Sequence, residues 1–265
     1  RELLPLGGKA RSAKGAPMSD TGMLLVRVIL LVPACSAALL ALLPDDRVTA
    51  RLNVLGTLLT FVVSTGLFFA RPDPGSFLIV DDVNIVFIVL TTFVGFTTSV
   101  FSASYIAHEL ETGHLTPAYL RFYHAMYQTL MFAMNLALLA NNVGLMWVAV
   151  ELATLTTVLM VGIYRTPAAL EAAWKYFLLG SVGIALALFG TILVYLAARS
   201  VVGEGLDAMA WNVLVANASA FDPALLNLAF VFLLLGYGTK VCLAPSHAWL
   251  PDAHAEGSTP ISAVL

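Results

Sequence analysis

Long, uninterrupted apolar runs decide what this chain can fold into. Val143 to Tyr164 reads VGLMWVAVELATLTTVLMVGIY, and Leu225 to Ala244 reads LLNLAFVFLLLGYGTKVCLA. A bilayer core takes roughly 20 such residues per helix. Runs of this kind near 22–43, 53–70, 79–106, 122–140, 143–163, 175–197 and 225–244 predict seven spans, and an eighth begins near Ser258. Only helices and closed barrels satisfy their own backbone in lipid. These runs are continuous rather than alternating, so they read as helices. Only 11% of residues are charged and mean hydropathy is +0.90, whereas soluble domains carry roughly 25% charged residues. The expected fold class is all-α, a polytopic transmembrane helix bundle.

The connections are short. Arg71-Pro72-Asp73-Pro74-Gly75 is a turn signal and Asn141-Asn142 a very tight link. The longest connection, Ser200 to Pro223, holds Trp211, an interfacial anchor type. Residues 1–17 carry four of the 13 Lys+Arg and are read as a tail, disordered or foreign to the fold. Residues 18–121 then hold the first three helices, and 122–265 form a second transmembrane unit. Arg47, Arg51, Arg121, Arg165 and the boundary residue Lys175 fall on one side, against Arg71 and Arg199 on the other. Positive residues favour the cytoplasmic side, which places the N-terminus outside. Net charge is −3, which leaves no footprint for nucleic acid. Cys35 and Cys242 both lie in apolar runs and read as small buried hydrophobes rather than as a disulfide or metal site.

Against this background, Glu151 and Lys240 stand out. Each sits within an apolar run, and ionisable groups at membrane depth are functional candidates by default. Burial makes their protonation responsive to a neighbour's movement. Thr154, Thr156 and Thr157 follow Glu151 on the same helix and suit a polar path. Lys175 has Glu171 four residues before it, which suits an i,i+4 pair at the interface; it is also a candidate partner for Glu151. After Lys240 come Pro245, His247, Pro251, Asp252 and His254. Pro interrupts a helix, and broken helices at membrane depth occur where they line a protein interior or cavity. A discontinuous helix is one reading; a helix that simply stops at the surface is the other. His247 lies two helical turns beyond Lys240 and has a ring suited to relaying protons. His108, His114 and His124, with Glu109 and Glu111, read as a solvated connection after the third span.

The string GYGTKVCLAPSHAWLPDAHAEGSTPISAVL, Gly236 to Leu265, resembles the central signature of the antiporter-like membrane subunits of complex I, Mrp-type cation/proton antiporters and membrane-bound hydrogenases. Asn141 to Tyr195 is closer to the hydrogenase-4 component F branch. Gly257-Ser258 departs from the Ala-Pro usual there. The resemblance implies a fold of about fourteen helices containing two inverted repeats, of which this chain holds the first part. It also implies roles: Glu151 and Lys175 as an ion pair, Lys240 as the buried lysine of the broken helix, and His247 on the proton path. Asp252, His254 and Glu171 are secondary candidates.

On this reading the chain is a proton- or cation-translocating subunit of a hydrogenase-4-like or NADH dehydrogenase-like oxidoreductase complex in the inner (plasma) membrane. It would hold no cofactor itself, with Fe-S and Ni-Fe or flavin groups in partner subunits. Two other classes stay open: a non-pumping membrane scaffold, and the membrane partner in an inorganic-carbon uptake system.

Overall fold

The computed structural model describes residues 18–43 and 46–265. Residues 1–17, read from sequence as a tail, and residues 44–45 lie outside the described residues. Ten α-helices follow in order: α1 (Met18–Leu42), α2 (Asp46–Thr65), α3 (Asp82–Glu111), α4 (Pro117–Leu139), α5 (Val143–Val161), α6 (Pro167–Val202), α7 (Trp211–Asn217), α8 (Pro223–Lys240), α9 (Leu250–Glu256) and α10 (Thr259–Ser262). Among the described residues, extended pairing is limited to the isolated bridges Leu78–Ala140 and Asn142–Ala210. The all-α transmembrane reading holds.

Local chemistry sets the helix starts. Asp81 closes a capping box on α3, accepting from Val83 N at 2.9 Å and Asn84 N at 2.7 Å. Asn142 caps α5 through Gly144 N and Leu145 N. Thr166 and Asp222 cap α6 and α8, each followed by Pro at the first helical position, where its missing N–H costs nothing. The Asn141 amide donates to Gly75 O at 2.7 Å and Asn212 Oδ1 at 3.0 Å, which ties three connections together at one end of the bundle.

Six of the helices are long and apolar enough to cross a membrane. The seventh expected span, α4, has 23 residues, enough to cross, but it falls short in hydropathy. Its polar side chains explain this: His124, Gln128 and Asn135 are all fully buried. His124 corrects the sequence reading. α4 begins at Pro117 rather than near 122, so His124 lies inside the bundle, edge-on to Tyr123. His114 does sit in the exposed connection, 3.2 Å from Glu109.

The bundle is arranged with polar groups inward. On α2 the buried residues Thr49, Asn53, Thr57, Thr60 and Ser64 repeat at helical spacing, while Leu55, Leu59 and Val62 face outward. On α3, Ser99 meets Thr57 at 2.7 Å and Thr92 meets Ser64 at 2.8 Å. Against a lipid exterior, burial of apolar area does not drive helix association, so small residues and interhelical hydrogen bonds must hold the helices together.

α6 and α8 pack most extensively, and they do so through glycine. A Cβ at Gly236 would stand 2.6 Å from Gly183 O, and one at Gly190 would stand 3.0 Å from Ala229 O. Neither neighbour can retreat, because both are backbone. Gly236→Val is therefore expected to destabilise the fold by at least about 1–3 kcal/mol. Thermal unfolding in detergent measures this; an unchanged midpoint would show that the two helices separate without consequence.

Candidate functional site

The site forms where α8 stops. Its last residue is Lys240, after which Cys242 takes a left-handed conformation with φ 58°. A short turn then leads to α9. The carbonyls at a helix end lack intrahelical donors, and Trp249 supplies one: its indole Nε1 donates to Thr239 O at 3.0 Å. The same indole stacks on Tyr176 of α6, with ring centres 4.2 Å apart. Of the two readings left open by Pro245, the discontinuous helix is the one found. The chain turns back into the bundle, and Trp249 is 3% exposed.

Lys240 points into this arrangement. Its Nζ donates a long hydrogen bond, 3.4 Å, to Tyr176 Oη and lies 5.0 Å from that ring's centre. Tyr176 Oη lies 2.8 Å from Thr157 Oγ1, which in turn donates to Ala153 O at 2.8 Å. With the Thr157 proton committed to a carbonyl, Tyr176 donates to Thr157 and accepts from Lys240. A backbone carbonyl cannot pass a proton onward. The Tyr176–Thr157 chain therefore orients the amine rather than draining it. A cavity of about 280 Å³ beside it is lined by Lys240, Tyr176, Thr154, Thr157, Trp249 and apolar residues including Leu130 and Met134. Thr154 and Thr157, suggested by the sequence as a polar path, do border it.

Glu151 is half-buried on α5, with one carboxylate oxygen buried and without a hydrogen-bond partner in the protein. None of the ion pairs among the described residues joins it to a lysine. Lys175 is engaged elsewhere: its Nζ lies 2.8 Å from Asp252 Oδ2 on α9 and 2.8 Å from Glu171 Oε1. The Glu151–Lys175 pair implied by resemblance is thus not the arrangement in this structure. The reason is the face of α6 on which Lys175 stands, which is not the face that Tyr176 turns to Thr157 and Lys240. Lys175 stands on the exposed side of its early turns, with its side chain 47% exposed. The i,i+4 pair with Glu171 is present as read.

His247 is exposed in the turn between α8 and α9, where its carbonyl accepts from Leu250 N at 3.0 Å. Counting two helical turns from Lys240 fails here because the helix ends at Lys240 itself. His254 is also exposed, on α9, while its carbonyl accepts from Ser262 Oγ. Both cysteines are free, Cys35 exposed and Cys242 partly buried, so Cys35 is not the buried hydrophobe expected. Sequence reasoning missed Tyr176 and Trp249 as members of the site. Their signal was present: an aromatic beside Lys175, and a Trp between the prolines that follow the break.

Residues 140–265 match the family described as "NADH:quinone oxidoreductase/Mrp antiporter, TM". The family region contains Glu151, Lys175, Tyr176, Lys240 and Trp249. The chain is 61% identical over 237 residues to the hydrogenase-4 component F homolog of Methylacidiphilum infernorum, covering 89% of this chain and 50% of that protein. It thus spans about half the length of this relative. The F420H2 dehydrogenase subunit N of Methanosarcina mazei is 36% identical over 135 residues, 51% of this chain and 26% of that protein. Among solved structures, a chain of respiratory complex I from Thermus thermophilus superposes with TM-score 0.70 at 25% identity, covering 89% of this chain and 50% of that one. A chain of the Mrp complex from Dietzia sp. shares the fold, with TM-score 0.68 at 20% identity over 91% of this chain and 26% of that one.

Within this family region the Trp249 indole is the polar pin at the break. Trp249→Phe retains the aromatic stack but leaves Thr239 O unpaired, for an expected cost of about 1–3 kcal/mol. A lowered unfolding midpoint in detergent checks this; Trp249→Phe with wild-type stability would mean that another donor reaches the carbonyl.

Proposed function

We propose that this chain is part of an antiporter-like subunit that moves protons across the cell membrane within a membrane-bound hydrogenase or NADH dehydrogenase-like complex. The observation that carries this reading is Lys240: a lysine at the end of a broken membrane helix, beside a cavity and within the field of the half-buried Glu151. Kinship with hydrogenase-4 and complex I subunits supports the same reading. The chemistry in this chain is proton binding and release. Redox groups, Fe-S with Ni-Fe or flavin, belong on this proposal to partner subunits. The arginine-rich ends of the helices face the cytoplasm, and the N-terminus faces outward.

Tyr176 holds the Lys240 amine toward the cavity in either protonation state, because the amine keeps N–H groups to donate in both. Glu151 makes the energy of the proton on Lys240 depend on whether the carboxylate is charged and how near it stands. A displacement that changes their separation changes proton occupancy at Lys240. α9 is the element placed to transmit such a displacement. Its Asp252 grips Lys175, and Trp249 immediately before it covers Tyr176. In this scheme Lys175, Asp252 and Glu171 form a flanking charge cluster. On this proposal His247, exposed in the turn, exchanges protons with the adjoining solution.

The test uses the full-length protein in its complex. Lys240→Ala is expected to leave assembly intact and to lower proton pumping by about a hundredfold or more, read as pH-gradient formation in inverted vesicles. Pumping that survives Lys240→Ala overturns the proposal. A wild-type complex that assembles and turns over without forming a gradient would favour the scaffold reading. Glu151→Gln, which preserves shape while removing charge, is expected to lower pumping as well; wild-type pumping in this variant would remove Glu151 from the scheme.

A further inference from the structure

We infer that the first turns of α4 and α6 and the last turn of α5 form a binding site for one anionic phospholipid. The crevice there has a volume of about 650 Å³ and includes Phe122, Leu159, Leu170, Trp174 and Phe177 in its wall. It is separate from the Lys240 cavity. Small residues create the recess. Gly162 has no side chain to fill it, and a Cβ added there would reach the Ala173 methyl at 3.2 Å. Ala118, on the opposite wall, is exposed and equally short.

Charge selects the occupant. Arg165 lines the crevice from the turn between α5 and α6. It is one of two non-glycine residues with positive φ among the described residues, at 55°, and its N–H donates to Gly162 O at 3.2 Å. Its guanidinium lies over the Tyr119 ring, 4.7 Å from the centre. None of the ion pairs among the described residues involves Arg165. A positive group is therefore held at one end of an apolar slot without a carboxylate to neutralise it. Trp174 and Tyr119 add the amphipathic rings that favour headgroup depth. An acyl chain fits the apolar wall and a phosphate fits the guanidinium. Basic pockets between membrane helices on the arginine-rich side suit anionic headgroups.

Native mass spectrometry of the full-length protein, titrated with phosphatidylglycerol or phosphatidylcholine, tests this. Wild type is expected to retain one phosphatidylglycerol about fivefold more tightly than phosphatidylcholine, the preference expected from one arginine near a headgroup. Arg165→Gln is expected to abolish the preference, with an unchanged unfolding midpoint because the side chain is exposed. Ala118→Trp, which fills the slot from an exposed position, is expected to weaken both lipids. Equal retention of the two lipids by wild type, or a preference that survives Arg165→Gln, overturns the inference. So does a photo-reactive side chain at position 174 that captures protein rather than lipid in native membranes.

Discussion

A membrane interior offers no water to a carbonyl left free at the end of a helix, and this constraint shapes the centre of the protein. α8 ends at Lys240, and something must meet the carbonyls it exposes. The Trp249 indole does so at Thr239 O. To reach that oxygen, the chain after Lys240 must fold back toward the bundle, which brings α9 against α6. The stack on Tyr176, the orientation of Lys240 and the placement of Asp252 beside Lys175 all follow from that return. Without the indole, the break would leave an unsatisfied group at depth, and α9 would lose its anchor.

The charged residues then divide into two groups. Glu151 and Lys240 are both partly buried in the bundle. Lys175, Asp252 and Glu171 share an ionic cluster on the exposed side of α6. The two groups are joined through consecutive residues. Lys175 faces outward to Asp252, while Tyr176 faces inward to Lys240 and stacks on Trp249. One short segment, Trp249 to Asp252, thus touches both the outer ion cluster and the tyrosine that holds the inner amine. An exposed ion pair of this kind contributes little to stability, about 0–1 kcal/mol. It is therefore well suited to breaking and reforming, whereas the buried indole bond is suited to holding.

Much of the fold was legible because the bilayer imposes a strong, local signal. A run of apolar residues of sufficient length has few alternatives to a helix, and each expected span corresponds to a helix. The boundaries moved where helix-starting residues extended the helices beyond the apolar run, as the Thr166 cap with Pro167 did for α6 and Pro117 at the first turn did for α4. His124 was misplaced for this reason. The site was legible in part. Glu151 and Lys240 stood out because a charge in an apolar run is conspicuous, and the threonines after Glu151 stood out by spacing. Tyr176 and Trp249 did not, because an aromatic residue in a membrane helix is ordinary until its partner is known.

The sequence alone determined that this chain is a bundle of membrane helices, that a helix breaks after Lys240 or ends there, and that Glu151 and Lys240 are its expensive residues. Those conclusions depend on the cost of placing polar groups in lipid, which a linear string already displays. Tertiary structure decided which charge meets which. Lys175 turned to Asp252 rather than Glu151 because it stands on a different face of α6 from the inward-facing Tyr176. His247 left the line of Lys240 because the helix ended and the chain reversed. Pairing depends on the direction each helix face takes after packing, and here glycine contacts between α6 and α8 and one indole bond set those directions.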